Sequence, residues 1–196
     1  LALKGMAMVG LAYGELGLRP MADIDLLVRP KDLRRAISVL TEREWRSAQG
    51  KPGEEMRFAR LFHAVPLRHP SCIELDLHHH ILEENNWPGA DDSVWEHRIP
   101  LELTGKQLWT MSPADHVIHL IVHGVRWAPV PPMRWIVDVV LLTRTNDIDW
   151  DRVVAEVERR CVTLALAAGL RYLVDEFDAQ VPEANLQRLE TVRPGR

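Results

Sequence analysis

The chain reads as an α+β protein, an α/β front half followed by a back half that is almost wholly helical. Three patterns predict this. Apolar and polar residues alternate through Asp23–Val28 and again through Ile73–His79, the period of a strand with one buried face. After Pro30, residues Leu33, Ala36, Ile37 and Leu40 recur at helical spacing and leave Arg34 and Arg35 on a solvated side. From Ser112 onward the pattern is helical. It begins at Ser112-Pro113-Ala114-Asp115, where a serine N-cap, a proline at the first helical position and an early acid satisfy the free N–H groups and the dipole.

Taken in order, Leu1 to Lys4 form the end of a strand or helix leading into Gly5. Met6 to Leu16 then make an apolar segment of helical length, weakened by Gly10 and Gly14. Beyond the turn-like Gly17-Leu18-Arg19-Pro20, the strand Asp23–Val28 places Asp23, Asp25 and Leu27 on one face and Ile24, Leu26 and Val28 on the other. A helix from Lys31 to about Trp45 follows, then a loop by composition from Gln49 to Glu55. Two strands, about Arg57–Leu67 and Ile73–His79, form a hairpin around His69-Pro70-Ser71. The stretch Leu82–Ile99, with Asn85-Asn86-Trp87-Pro88-Gly89, is irregular. The expected division is therefore a core over 1–82, an irregular connection over 83–110 and a helical region over 111–196. Within the last, the first helix runs to about Trp127 and is stopped by Pro129, Pro131 and Pro132; others follow at Met133–Thr143, Trp150–Arg160 and Leu164–Phe177.

A chain of 196 residues fits one domain, or a compact core with a helical appendage. Hydrophobic residues at 46% and charged residues at 27% match an ordinary globular protein. The apolar run Ile136 to Leu142 is interrupted by Asp138 and far too short to span a bilayer. A formal charge of -4 argues against broad binding to a phosphate backbone. Cys72 and Cys161 are far apart and belong to no Cys-x-x-Cys pattern, which suits a reducing cytoplasm. The start at Leu1, with no signal-peptide pattern, reads as a fragment of a cytoplasmic protein.

The chemistry concentrates on two strands. Alternate strand residues lie about 6.5–7 Å apart on one face, so the carboxylates of Asp23 and Asp25 converge and repel by roughly 2.5 kcal/mol at an effective dielectric of 20. A cation should sit between them: Arg19, Lys4 or a bound metal, with magnesium suited to an oxygen-rich site shared with substrate phosphates. Asp-x-Asp alone is also what a capped turn at an exposed strand end contains. The second strand strengthens the metal reading, because Glu74, Asp76 and His78 alternate against Ile73, Leu75 and Leu77 and offer a third carboxylate. Three acids on two partly buried strands match what two-metal phosphoryl chemistry needs.

These residues resemble the nucleotidyltransferases of the DNA polymerase β superfamily, and specifically the bacterial nucleotidyltransferase-like proteins. The similar motifs are Leu3-Lys4-Gly5, Leu18 to Val28 ("LRPMADIDLLV"), Leu75 to His79 ("LDLHH"), His119 to Gly124 ("HLIVHG") and Met133 to Asp138 ("MRWIVD"). The resemblance implies a mixed sheet core backed by helices, with a C-terminal helical bundle and a cleft between them. It implies metal-dependent transfer of a nucleoside monophosphate from a nucleoside triphosphate to an acceptor hydroxyl, releasing pyrophosphate, with Mg2+ or Mn2+ as cofactor. Asp23 and Asp25 match the paired metal ligands, and Asp76 the third carboxylate that orients or deprotonates the acceptor; Glu74 stands on the same strand face as the alternative third acid, and His78 is near enough to orient the carboxylate. Gly5 matches the glycine before the first helix. Superfamily members carry Gly-Ser or Gly-Gly there, whereas this chain has Gly5-Met6, so Lys4 or Arg19 supplies charge to the phosphates in place of a hydroxyl.

Other residues admit more than one reading. A helical wheel places His116, His119 and His123 with Arg126 opposite an apolar face of Ala114, Val117, Ile118, Ile121, Val122 and Val125, which describes a solvated or cleft-lining face, or else zinc ligands together with His78-His79-His80. Arg134 and Asp138, four apart on an otherwise apolar helix, are placed to pair, unless Arg134 points into the cleft toward phosphate. The tryptophans read as packing. Two rivals to the transferase remain: a catalytically silent binding or regulatory module of the same fold, and a zinc-dependent hydrolase built from the histidines. Among acceptors, a protein or a small molecule is favoured over an RNA end on charge.

Overall fold

The computed structural model describes residues 1–49, 53–126 and 133–191. Residues Leu1 to Leu3 run beside the first strand, with Leu1 O accepting from Leu27 N and Leu3 N donating to Asp25 O. They lead into helix α1 (Lys4–Met8), which continues as a π-helical turn, Val9–Tyr13, ending at the left-handed Gly14. Strand β1 (Asp23–Leu27) is followed by a 3-10 turn at Pro30–Asp32 and helix α2 (Leu33–Glu42). Next come the short β2 (Arg46–Ser47), helix α3 (Glu55–Phe58), and strands β3 (Ala64–Arg68) and β4 (Glu74–His78). Helix α4 (Asp92–Glu96) and strands β5 (Ile99–Leu103) and β6 (Lys106–Thr110) precede the helices α5 (Pro113–Gly124), α6 (Arg134–Thr145), α7 (Trp150–Arg160), α8 (Thr163–Phe177) and α9 (Glu183–Thr191).

The main sheet has strand order β1-β4-β3-β2, with β1 parallel to β4 and the other pairs antiparallel. It is a mixed sheet. One face carries Leu75, Leu77, Val65 and Leu67 against Leu33 and Ile37 of α2, so the amphipathic helix covers that side. The opposite side joins the larger core, in which Leu27 packs with Leu3, Met8 and the apolar residues of α5 to α9. Because the second face meets a helical bundle, a polar group placed on it is withdrawn from water.

Several expectations change. The strand expected over Arg57–Leu67 begins only at Ala64; its first part is α3 and a turn, where the rings of Phe58 and Phe62 stack at 4.3 Å across a helical spacing of four. Residues 83–110 hold more regular structure than their composition suggests, including α4 and the β5–β6 hairpin. The hairpin turn is Thr104-Gly105, both with positive φ (50° and 71°), the geometry in which glycine is favoured and which matches strand twist. Helix α9, not foreseen, buries Leu186 and Leu189 three residues apart. Ser112 caps α5 as expected, accepting from Asp115 N. The middle of the expected loop, Gly50 to Pro52, the expected helix end at Trp127 and the stops at Pro129, Pro131 and Pro132 lie outside the described residues. No helix among the described residues is long and apolar enough to cross a membrane.

Helix α5 departs most from its wheel. His116 and His119 are buried along with the apolar face, because α6, α7 and α8 pack around this helix. His116 bonds Thr110 Oγ1 at 2.8 Å, and burial pushes its imidazole down from 6.5 to about 3. The unfolded chain therefore takes up this proton near pH 6.5 while the fold does not, so stability is full above that pH and falls as pH drops toward 3. Each such histidine contributes on the order of 1 kcal/mol per pH unit. Thermal melts from pH 7.5 to 5 should show a steady loss of stability, with a shallower slope in His116→Leu; a flat profile would contradict the burial.

Candidate active site

The parallel pairing of β1 and β4 sets Asp25 opposite Asp76 and Asp23 opposite Glu74. Because side chains of one face recur every second residue, this register collects the acids and His78 on the side turned toward α5. The ligand atoms of Asp25, Asp76 and His78 all lie within 4.8 Å of one another, the one group of three or more such residues among those described that is spaced to hold a metal ion. Asp23 stands at the pocket wall with Asp25 but outside that group, and Glu74 turns away to pair with Arg68 on the neighbouring strand.

Asp25 is 4% exposed and organises the electrostatics. Burial raises its carboxyl, but the hydrogen bond from His78 Nε2 at 3.0 Å and the charge of Lys4 Nζ at 2.7 Å outweigh that effect and bring it down to about 2. Asp76 moves the other way: burial first, then the Asp25 charge, raise its carboxyl above 3.8. Two adjacent acids are thus driven apart in acidity, the arrangement that separates a permanent anion from a group able to take a proton. Lys4 reaches Asp25 from a left-handed backbone position, φ 40°, one that costs a non-glycine residue on the order of 1–2 kcal/mol.

The same pocket is lined by Lys4, Gly5, Arg19, His119, His123 and Arg134. Gly5 lies within the first turn of α1 rather than ahead of it, and a Cβ there would meet Met21 Sδ at 2.5 Å, so a larger residue would have to push that flexible side chain aside. Arg19 is 8% exposed and is gripped through Nε and Nη2 by Asp138 at 2.7 and 2.8 Å, while its Nη1 donates to Pro20 O. Tyr13 OH adds a third bond to Asp138 at 2.8 Å. The expected Arg134–Asp138 pair is therefore corrected. Asp138, at 1% exposure, needs a partner that is itself buried and can bond it twice, whereas Arg134 is exposed and donates to Pro20 O at 3.3 Å. In the sequence Asp138 is signalled only as the end of the Met133–Asp138 motif and as a lone acid in an apolar helix, and Tyr13 is not signalled at all. Trp135, read as packing, lines the pocket as well.

The fold resembles that of a solved structure, an antigenic nucleotidyltransferase-like protein from Paracoccidioides brasiliensis, with a TM-score of 0.53 and 16% identity over 95% of this chain and 83% of that one. The sequence model of a family described as uncharacterised nucleotidyltransferase matches residues 1–178. The chain belongs to that nucleotidyltransferase family. Among curated proteins none matches it.

Removing Asp138 leaves Arg19 buried and uncompensated, so Asp138→Ala should destabilise the fold by about 3–5 kcal/mol in urea titrations. Glu74→Gln, which touches only an exposed pair, should change stability by no more than about 1 kcal/mol.

Proposed function

We propose that the protein is a metal-dependent nucleotidyltransferase that moves a nucleoside monophosphate from a nucleoside triphosphate to an acceptor hydroxyl and releases pyrophosphate. The observation that carries this reading is the register pairing of Asp25 with Asp76, both in reach of one cation together with His78. The donor set fits a hard divalent ion: it is rich in oxygen, and the Asp76 carboxyl is pushed up by burial and by the charge beside it, a penalty a cation would relieve. Asp25 and Asp76 would hold Mg2+ or Mn2+, with Asp23 joining from the pocket wall. When bound, such an ion supplies neutralisation of charge on the phosphate oxygens.

The chain's own groups divide the remaining work. Arg19, locked by Asp138, keeps its charge in the pocket, and Lys4 and Arg134 add cations on which a triphosphate can settle without a hydroxyl at Met6. Asp76 has the raised affinity for protons that suits a base for the acceptor hydroxyl, and His78 fixes the neighbouring Asp25. The negative charge of the chain favours a protein or small-molecule acceptor over RNA. One alternative has its own support: Met21 over Gly5, and Lys4 already on Asp25, also suit a module that binds nucleotide without turning it over.

Calorimetry with each nucleoside triphosphate, with and without magnesium, tests the reading directly; no metal-dependent nucleotide binding would remove it, and binding without pyrophosphate release would select the silent module. Asp76→Asn should lower turnover by roughly 10²–10⁴-fold with nucleotide binding largely kept. Asp23→Asn and Asp25→Asn should instead weaken metal-dependent binding, and Glu74→Gln should remain active. A dead Glu74→Gln beside an active Asp76→Asn would show that the third acid has been assigned to the wrong residue.

A further inference from the structure

Part of the pocket wall is nitrogen rather than oxygen. His119 and His123 lie four residues apart on α5, the separation that sets two imidazoles on one side of a helix, with ring centroids 6.0 Å apart. His78 meets His119 edge-on from β4, at 6.3 Å between centroids. His119 is 1% exposed, lines the pocket, and has no hydrogen-bond partner at either ring nitrogen. Leaving a buried polar group unpaired costs its full desolvation, and native folds rarely accept it without a purpose. His116, on the same helix, differs: its Nε2 bonds Thr110 Oγ1, leaving only Nδ1 unpaired, and it lines no part of the pocket.

We propose that the imidazole pair His119 and His123 forms a binding site for a borderline transition ion such as zinc or cobalt, beside the oxygen-rich Asp25–Asp76 position. Imidazoles select such ions over magnesium, which keeps oxygen ligands. Leu120 occupies the place where a His-Glu-x-x-His helix carries its general-base glutamate, so the pair binds an ion without the hydrolytic machinery of that motif. Lys4 is the opposing charge: its Nζ holds Asp25 Oδ1 at 2.7 Å and disfavours any cation near the histidines. A divalent ion must therefore displace it.

This site does not depend on the nucleotidyl-transfer reading, and its test reads no turnover. Tag-free protein stripped with a chelator is titrated with Co2+ and followed by visible absorption. One equivalent should bind with the d–d bands of a nitrogen-containing site. His123→Ala should weaken binding by at least the ~10–100-fold that losing even an outer partner of a metal ligand costs. His119→Gln should do the same, and Lys4→Met should tighten binding. Since His119 is buried and its variant is the one at risk of misfolding, the partly buried His123 carries the decision, with circular dichroism confirming its fold. Absence of stoichiometric Co2+ binding, an unchanged affinity in folded His123→Ala, or a loss in Asp76→Asn equal to that in His123→Ala would overturn the proposal, the last by placing the ion on the acidic group.

Discussion

The carboxylate of Asp25 is buried and charged, and both conditions hold only because Lys4 and His78 stand within 2.7 and 3.0 Å of it. An isolated carboxylate moved out of water would sooner take a proton than remain an anion. Here it is held ionised by groups from two other elements, and those elements must arrive in register. Residues Leu1 to Leu3 bond along β1 and aim Lys4; the parallel pairing with β4 brings His78 and Asp76. The layout of the sheet's outer strand pair follows from this one charge. Helix α5, held by apolar packing against α6, α7 and α8, closes the other side of the pocket with His119 and His123.

A second buried charge pair performs a related task at the far wall. Asp138 and Arg19 come from α6 and from the turn before β1, and their double hydrogen bond ties the helical region to the sheet region at the pocket itself. Replacing such a pair by apolar residues is often neutral or stabilising in other proteins, so its presence points to placement of the guanidinium rather than to stability. Asp115 with Arg152 and Asp91 with Arg160 fasten α5 and the segment before α4 to α7 in the same manner, away from the pocket. Across the fold, ionic contacts set where elements dock and apolar burial supplies the driving force.

The segments whose structure departs from what their local sequence predicts share a cause. A helical wheel assumes that one side of a helix meets water, whereas α6, α7 and α8 surround α5, so its polar stripe divides: His116 is core, and His119 and His123 line the pocket as a cleft-facing stripe would. Spacing of four likewise suggested Arg134 for Asp138, but the actual partner is 119 residues away in the chain. The β5–β6 hairpin was legible in retrospect from Thr104-Gly105 between two alternating runs, a turn signal that the irregular composition upstream obscured.

What the sequence determined by itself is what depends on short-range periodicity. The alternation of Asp23 and Asp25, and of Glu74, Asp76 and His78, places each set on one strand face whatever the rest of the chain does, and the Ser112 cap starts α5 from local chemistry alone. The order of motifs along the chain was enough for the family. Only the tertiary structure decided that Asp25 rather than Asp23 faces Asp76, that Glu74 is drawn off by Arg68, and that Arg19 is claimed by Asp138. Each of those choices is made by which groups lose water together. Desolvation is a property of elements packed against one another, and no single segment carries it.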